Sequence, residues 1–175
     1  FGYTRAVLAR EMNAEEIAQV CRGTTMEIET FVHGALCMCL SGQCYLSAVA
    51  GERSGNRGLC AQPCRLPFYE KNPQRCGLSL KDMSLFSHID ELRQAGVCSL
   101  KIEGRMKSAY YTATVTNAYR RAIDETAGLD FCRGELSSIR HRPYSTGFYF
   151  RELAQNHAHD PADQFECVFA AKVLS

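Results

Sequence analysis

The sequence lacks the features that mark several common protein classes. No apolar run approaches the ~20 residues of a membrane span. The HExxH motif of zinc peptidases is missing, and so is the G-x-S-x-G turn of serine hydrolases. There is also no C-x-x-C pair, which makes a zinc ribbon a poor explanation of the cysteines. We therefore expect a globular protein without a membrane span.

Cysteine, by contrast, is abundant: the 175 residues include ten, and Cys37, Cys39 and Cys44 lie within eight residues. Disulfide scaffolds are usually short, loop-rich and secreted. This chain is not loop-rich, and charges interrupt its first apolar stretch, which is unlike a signal peptide. We therefore expect a reducing cytoplasmic location, where clustered thiolates most often bind metal.

The pattern of apolar residues alternates between strands and helices, which is typical of the α/β class. It predicts strands at residues 4–11, 26–32, 77–81 and 98–103, and helices at residues 14–22, 84–95 and 108–124. This order indicates parallel βα units. Four short strands fit half of a (β/α)8 TIM-like barrel or one edge of an open sheet. A partial barrel has an unpaired edge, so we expect a second copy or an exchanged segment to cover it.

Two domains are predicted. Residues 1–127 form a partial barrel interrupted by a long cysteine-rich loop at 34–76, where glycine and proline accumulate. Residues 128–175 are predicted to be an irregular extension, rich in arginine and aromatics, that leads into a truncated second domain. Functional groups of βα folds lie where the strands end. That rule places His33, Cys37, Glu103 and Arg105 on one rim.

The cysteines of the long loop suit four-thiolate ligation. Tetrahedral sulfur sites hold zinc or an iron–sulfur cluster, and spacing alone does not choose between them. The simpler alternative is a set of buried free cysteines, since cysteine is among the most buried residue types. The candidate ligands are Cys37, Cys44, Cys60, Cys64 and Cys76.

Charge is uneven along the chain, although the net charge is only +1. The basic middle of the chain can meet an anionic partner, or it can be an ordinary solvated surface. Cations and aromatic rings occur together in "KIEGRMKSAYY" and "HRPYSTGFYF", a combination that suits single-stranded RNA. The candidate nucleic-acid-binding residues are Lys101, Arg105, Lys107, Tyr110 and Arg142.

The stretch "ETFVHGALCMCLSGQCYLS" resembles the signature of the peptidase U32, or collagenase-like, family, E-x-F-x-x-G-[small]-[aliphatic]-C followed by G-x-C-x-[aliphatic]-S. The matching positions are Glu29, Phe31, Gly34, Ala35, Leu36, Cys37, Gly42, Cys44, Leu46 and Ser47. The resemblance continues in "SGNRGLCAQPCRLP", "LSLKDM", "AGVCSLKIEGRMKS" and "HRPYSTGFYF". We therefore expect the later part of a U32 catalytic domain, with earlier barrel strands absent.

The resemblance implies two kinds of enzyme. The family name implies proteolysis, whereas other members are implicated in hydroxylating tRNA or rRNA bases and resemble [4Fe–4S] proteins. Carried over to this chain, the cluster ligands are Cys37, Cys44, Cys60 and either Cys64 or Cys76. Hydroxylation explains the thiols and the basic middle together, so we favour it over proteolysis.

A peptidase would need a different set of groups, either a cysteine nucleophile beside His33 or a zinc-bound water with Glu29 as base. A closed four-sulfur site leaves no open position for that water. A third hypothesis is a non-enzymatic zinc or iron–sulfur module. The candidate catalytic residues are Glu29, His33, Glu103 and Arg105.

Overall fold

A computed structural model of the chain describes residues 1–66 and 78–151. Within these ranges, strands and helices alternate as the sequence predicts for most of the chain. Three short 3-10 turns, 55–57, 63–65 and 86–88, interrupt the connections. The elements in chain order are β1 (Arg5–Val7), α1 (Ala14–Gly23), β2 (Glu27–Ala35), α2 (Leu46–Gly51), β3 (Asp82–Ser84), α3 (Ile89–Ala95), β4 (Ser99–Glu103), α4 (Ala109–Ile123), α5 (Leu129–Ser138) and β5 (Tyr144–Ser145).

The helix ends follow from local chemistry that is readable in the sequence. Asn13 accepts hydrogen bonds from the amides of Glu15 and Glu16, and the Glu16 side chain returns a bond to the Asn13 amide, which completes a capping box. Ser108 caps α4 through the amide of Tyr111. At the end of α3, Gly96 adopts φ +99°, which glycine accepts without strain.

Strand β2 is the centre of the sheet. It pairs in parallel with β1, where Arg5 lies opposite Glu27, and with β4, where Gly34 lies opposite Glu103. These three parallel strands confirm the α/β class. The described sheet is open, and the resemblance to a barrel remains a prediction.

Strand β3 corrects one prediction. It lies at Asp82–Ser84 rather than residues 77–81, and it runs antiparallel to β2, with His33 opposite Ser84. Parallel pairing requires a crossover of a dozen or more residues, usually through a helix that packs on the sheet. In the described part of the connection the longest helix is α2, with only six residues. Residue 77 lies outside the described residues.

The core lies between the sheet and α1, α3 and α4. Its buried residues include Ile17, Val32, Leu92 and Val115. On β4, Leu100 and Ile102 pack against this core, so the alternating residues of that strand face the other side of the sheet. Lys101 lies on that other side, where it pairs with Glu29 of β2.

Two helices appear where the sequence predicted irregular structure. Helix α2 lies within the cysteine-rich stretch, and α5 lies in the predicted extension after residue 127. Helix α5 packs against α4 and buries Cys132 and Leu136 in the common core. The predicted division into two domains is not tested, because residues 152–175 lie outside the described residues. None of the described helices combines the length and hydropathy needed to cross a bilayer.

Candidate functional site

The carboxyl ends of β2 and β4 meet closely, and this contact places the candidate site. Gly34 has φ +109°, and a Cβ built on it would lie 2.4 Å from the carbonyl oxygen of Glu103. Only glycine allows the two backbones to approach this far. The chain leaves β2 here and enters the cysteine-rich stretch, so Cys37 follows the strand directly.

Four of the predicted ligand cysteines share one neighbourhood. The thiol of Cys37 interacts electrostatically with Cys60 and Cys64, and Cys64 interacts with Cys60 and Cys44. Burial raises the pKa of the Cys37 and Cys64 thiols, although Cys37 as a whole residue is exposed. Within residues 1–66 and 78–151, no three His, Cys, Asp or Glu side chains lie close enough together to hold a metal ion. The ligand set therefore stays a prediction, and Cys76 lies outside the described residues.

The sulfur of Cys60 has hydrogen-bond donors around it. The amide of Gln62 donates to Cys60 Sγ at 3.3 Å, and the Ser47 hydroxyl lies 3.7 Å from the same sulfur. Ser47 is itself buried and held by the amide of Ala61 at 3.1 Å. Donors aimed at sulfur are typical of iron–sulfur ligation, because they stabilise the negative charge on the thiolates. The donor chemistry therefore fits a four-thiolate group.

Arginines accompany these thiols. Burial raises the pKa of the Cys37 thiol, and the positive charges of Arg10 and Arg65 offset part of that rise, as Arg65 does for Cys64. Arg10 also pairs with Glu103 at 2.8 Å and stacks 3.7 Å above the ring of Phe31. Glu103 balances the charge of Arg10, so Arg65 is the arginine whose charge suits an anionic metal–thiolate group.

Beside the thiols lies a buried carboxylate that the sequence analysis missed. Asp82 is fully buried on β3 and binds the guanidinium of Arg142, whose backbone amide also donates to it at 3.2 Å. Lys107 Nζ lies 3.3 Å from the same carboxylate. Burial alone raises the pKa of Asp82, but Arg142 and Lys107 outweigh it and hold the pKa below its usual range. Asp82 lies in "LSLKDM", one of the stretches that resemble the family, and that position was the signal in the sequence that could have identified it.

His33 lies inside the core rather than on the rim. Its Nδ1 lies 3.3 Å from the hydroxyl of Tyr119, and its Nε2 lies 3.2 Å from that of Tyr144. Burial lowers its pKa to about 3, so the ring is neutral at pH 7. The register between β2 and β4 shifts between Phe31 and His33. This irregularity breaks the alternation and buries His33 beside Val32.

Glu29 lies in the first half of β2, away from the candidate ligand cysteines, and belongs to a network of charged and polar side chains. It accepts from Lys101 at 2.9 Å and from the Ser99 hydroxyl at 2.9 Å, and Arg5 lies 3.5 Å away. The hydrogen bond from Lys101 is the main reason that the pKa of Glu29 is lowered. A carboxylate held in this way is a weak base.

The two remaining catalytic candidates, Glu103 and Arg105, differ in their surroundings. Glu103 binds Arg10 and accepts from the amide of Arg105 at 3.0 Å. The exposed Arg105 extends towards the cysteine-rich stretch, where its guanidinium would lie 3.7 Å from a Cβ built on Gly58. Of the candidate catalytic residues named from the sequence, Arg105 is the exposed one.

Some of the predicted nucleic-acid-binding residues are exposed, and others are held in contacts within the protein. Tyr110 is 69% exposed, and the side chain of Lys101 is 42% exposed although it pairs with Glu29. Lys107 and Arg142 are engaged by Asp82, and Arg142 is buried. The accessible candidates are therefore Lys101, Arg105 and Tyr110, and RNA binding by any of these residues remains a prediction.

The fold and this site define an α/β protein whose parallel strands end at a cationic, thiol-rich rim. The model of peptidase family U32 matches residues 1–159, and the chain belongs to that family. No solved structure matches it.

Three curated relatives illustrate the range of the family. A 23S rRNA 5-hydroxycytidine synthase of Escherichia coli is 44% identical over 70% of this chain and 20% of its own length. An uncharacterized protease of Methanocaldococcus jannaschii is 37% identical over 87% of this chain and 43% of its own length. The tRNA hydroxylation protein P of Escherichia coli is 34% identical over 94% of this chain and 48% of its own length. The chain thus spans less than half the length of these relatives.

Proposed function

We propose that the full-length protein is an iron–sulfur enzyme that hydroxylates a nucleobase of tRNA or rRNA in the cytoplasm. The observation that carries this proposal is the shared neighbourhood of Cys37, Cys44, Cys60 and Cys64 beside an exposed cation, Arg105. The names of the RNA-hydroxylating relatives support the same reaction class.

The four thiols would hold a [4Fe–4S] cluster, with Cys76 as the alternative fourth ligand. When bound, such a cluster supplies one-electron chemistry. The amide of Gln62 and the hydroxyl of Ser47 stabilise the charge on the Cys60 sulfur. These contacts would orient one ligand.

The exposed residues of the rim would position the RNA. Arg105 supplies positive charge for phosphate at the rim, and Tyr110 offers a ring on which an unpaired base can stack. Lys101, which pairs with Glu29 farther from the rim, would extend this positive charge along the sheet. The close contact of Gly34 with β4 keeps this surface next to the cysteine-rich stretch. Binding and chemistry would therefore share one end of the sheet.

Proteolysis is the alternative, and the geometry gives it less support. A cysteine peptidase needs an imidazole that takes the thiol proton, but His33 is buried, neutral and bonded at both nitrogens to tyrosines. The base of a zinc peptidase would be Glu29, which is neutralised by Lys101 and Arg5. The printed name of the archaeal relative is what favours this alternative.

The test uses the full-length protein purified without oxygen. We expect about four iron and four sulfide per chain, broad absorbance near ~400 nm, and a hydroxylated base in RNA recovered from cells that express it. Cys44→Ala should lose both the iron and the modification, whereas the matched variant Cys98→Ala, at the opposite end of β4, should keep both. Stoichiometric zinc, or gelatin cleavage that Glu29→Gln abolishes, would contradict the proposal. Reversible cluster reduction without any RNA product would indicate a non-enzymatic module.

A further inference from the structure

Arg65 connects the cysteine-rich stretch to the core. Its Nη1 donates to the carbonyl of Leu80 at 3.1 Å, and its Nη2 donates to the carbonyl of Leu36. Leu36 directly precedes Cys37, and Cys64 directly precedes Arg65. One guanidinium therefore holds the backbone next to two candidate ligands, and it ties both to the segment that leads into β3.

The third nitrogen of this guanidinium, Nε, is buried and has no hydrogen-bond partner among the described residues. A buried N–H without an acceptor is costly, and most such groups in folded proteins are paired. Arg65 bonds the carbonyl of Leu36, which adjoins Cys37, and Arg65 itself adjoins Cys64, so these two thiols are candidate acceptors for the Nε–H.

Among the described residues, the charge of Arg65 also lacks a carboxylate in contact with it. Burial, followed by the nearby charge of Arg142, lowers the pKa of Arg65, and Asp82 is already shared between Arg142 and Lys107. No salt bridge of the described residues includes Arg65. An anion close to Cys37 and Cys64 would offset this excess positive charge.

We propose that Arg65 is the internal counter-ion of the four-thiolate group and donates its Nε–H to a sulfur of that group. Arg65 is thus a positioning residue that keeps Cys37 and Cys64 in place and sets the reduction potential. This inference rests on the proposed function, because it requires the cluster. Positive charge and N–H donors next to a cluster favour its reduced form, so Arg65 raises the potential.

The test compares Arg65→Met with Arg57→Met in the full-length, anaerobically purified protein. Arg57 is exposed and lies in the same cysteine-rich stretch. The control variant Arg57→Met therefore removes the same charge as Arg65→Met without removing a buried contact. Iron content and a dithionite titration followed by absorbance are the readouts. We expect Arg65→Met either to lose iron or to lower the equilibrium constant for reduction of the cluster at least tenfold. A tenfold change corresponds to a reduction potential lower by about 59 mV for one electron. Arg57→Met should match the wild type.

Each result has a defined meaning. Unchanged iron and an unchanged potential in Arg65→Met would overturn the role of Arg65 and leave the cluster proposal standing. No iron in the wild-type protein would refute the cluster, and with it this role. If Arg65→Met does not fold, Arg65→Lys decides, because lysine keeps the charge but cannot bond both carbonyls and a sulfur. Partial loss of iron in that variant supports the proposal, and wild-type iron and potential overturn it.

Discussion

Replacing Asp82 with asparagine tests whether the buried ion pair holds this end of the fold together. The change keeps the shape of the side chain but removes its charge. Only 7% of Arg142 is exposed, so this cation stays buried after the carboxylate that paired with it is gone. Breaking a buried pair by removing one partner typically costs 3–5 kcal/mol. We expect a loss of about this size in the free energy of unfolding.

The expected loss is a large part of the 5–15 kcal/mol that stabilises a typical domain. Lys107 adds less to it, because its side chain is 18% exposed and water screens its charge once Asp82 is neutral. Asp82→Asn should therefore unfold at much lower urea concentration than the wild type. Circular dichroism of the metal-free protein in urea at pH 7 measures the shift.

Two companion variants make the result specific. Asp130→Asn removes a carboxylate that is 97% exposed and pairs with Arg133, and it should change the urea midpoint very little. Adding Arg142→Met to Asp82→Asn removes the orphaned cation and should restore part of the lost stability. A loss below about 1 kcal/mol in Asp82→Asn, or no recovery in the double variant, would refute the reasoning.

Further predictions concern the strand ends and the exposed rim. Because His33 stays neutral until about pH 3 while the unfolded residue binds a proton near 6.5, stability should fall as the pH drops below 6.5. The fall attributable to His33 should reach at most about 1.4 kcal/mol per pH unit, and urea titrations at several pH values should show less of it in His33→Gln. Gly34→Ala should destabilise the fold more than Gly42→Ala in thermal unfolding, because both have positive φ but only Gly34 would bring a Cβ against backbone. Arg105→Ala should weaken RNA binding and reduce the salt slope by about one, whereas an unchanged slope would remove Arg105 from the interface.

Local signals in the sequence were reliable guides to the helix ends. The spacing of Asn13 and Glu16, the serine before α4 and the glycine after α3 are each patterns typical of a cap, and each cap is present. Caps depend on hydrogen bonds within four residues of the chain, so the sequence alone contains their cause. The three parallel strands followed from the same alternation of short apolar segments.

The direction of β3 and the start of α5 could not be predicted in this way. The pairing of β3 depends on how the chain returns from the cysteine-rich stretch, and short apolar runs do not reveal the direction of a strand. Helix α5 has a weak apolar pattern and no capping side chain, and it gains its stability from packing against α4. Both features depend on contacts between distant segments.

The sequence by itself determined the family and the supply of thiols, because these depend on residue identity and spacing. It also predicted Cys37, Cys44, Cys60 and either Cys64 or Cys76 as ligands, and that set stays a prediction. Only the tertiary structure decided the environments of the charged and titratable groups. A bulge turned His33 into the core, and neighbouring strands neutralised Glu29. Folding also paired Asp82 with Arg142, which is 60 residues away in the chain. Burial and the position of an opposite charge set the pKa and the availability of a side chain, and both arise from packing between segments that are far apart in the sequence.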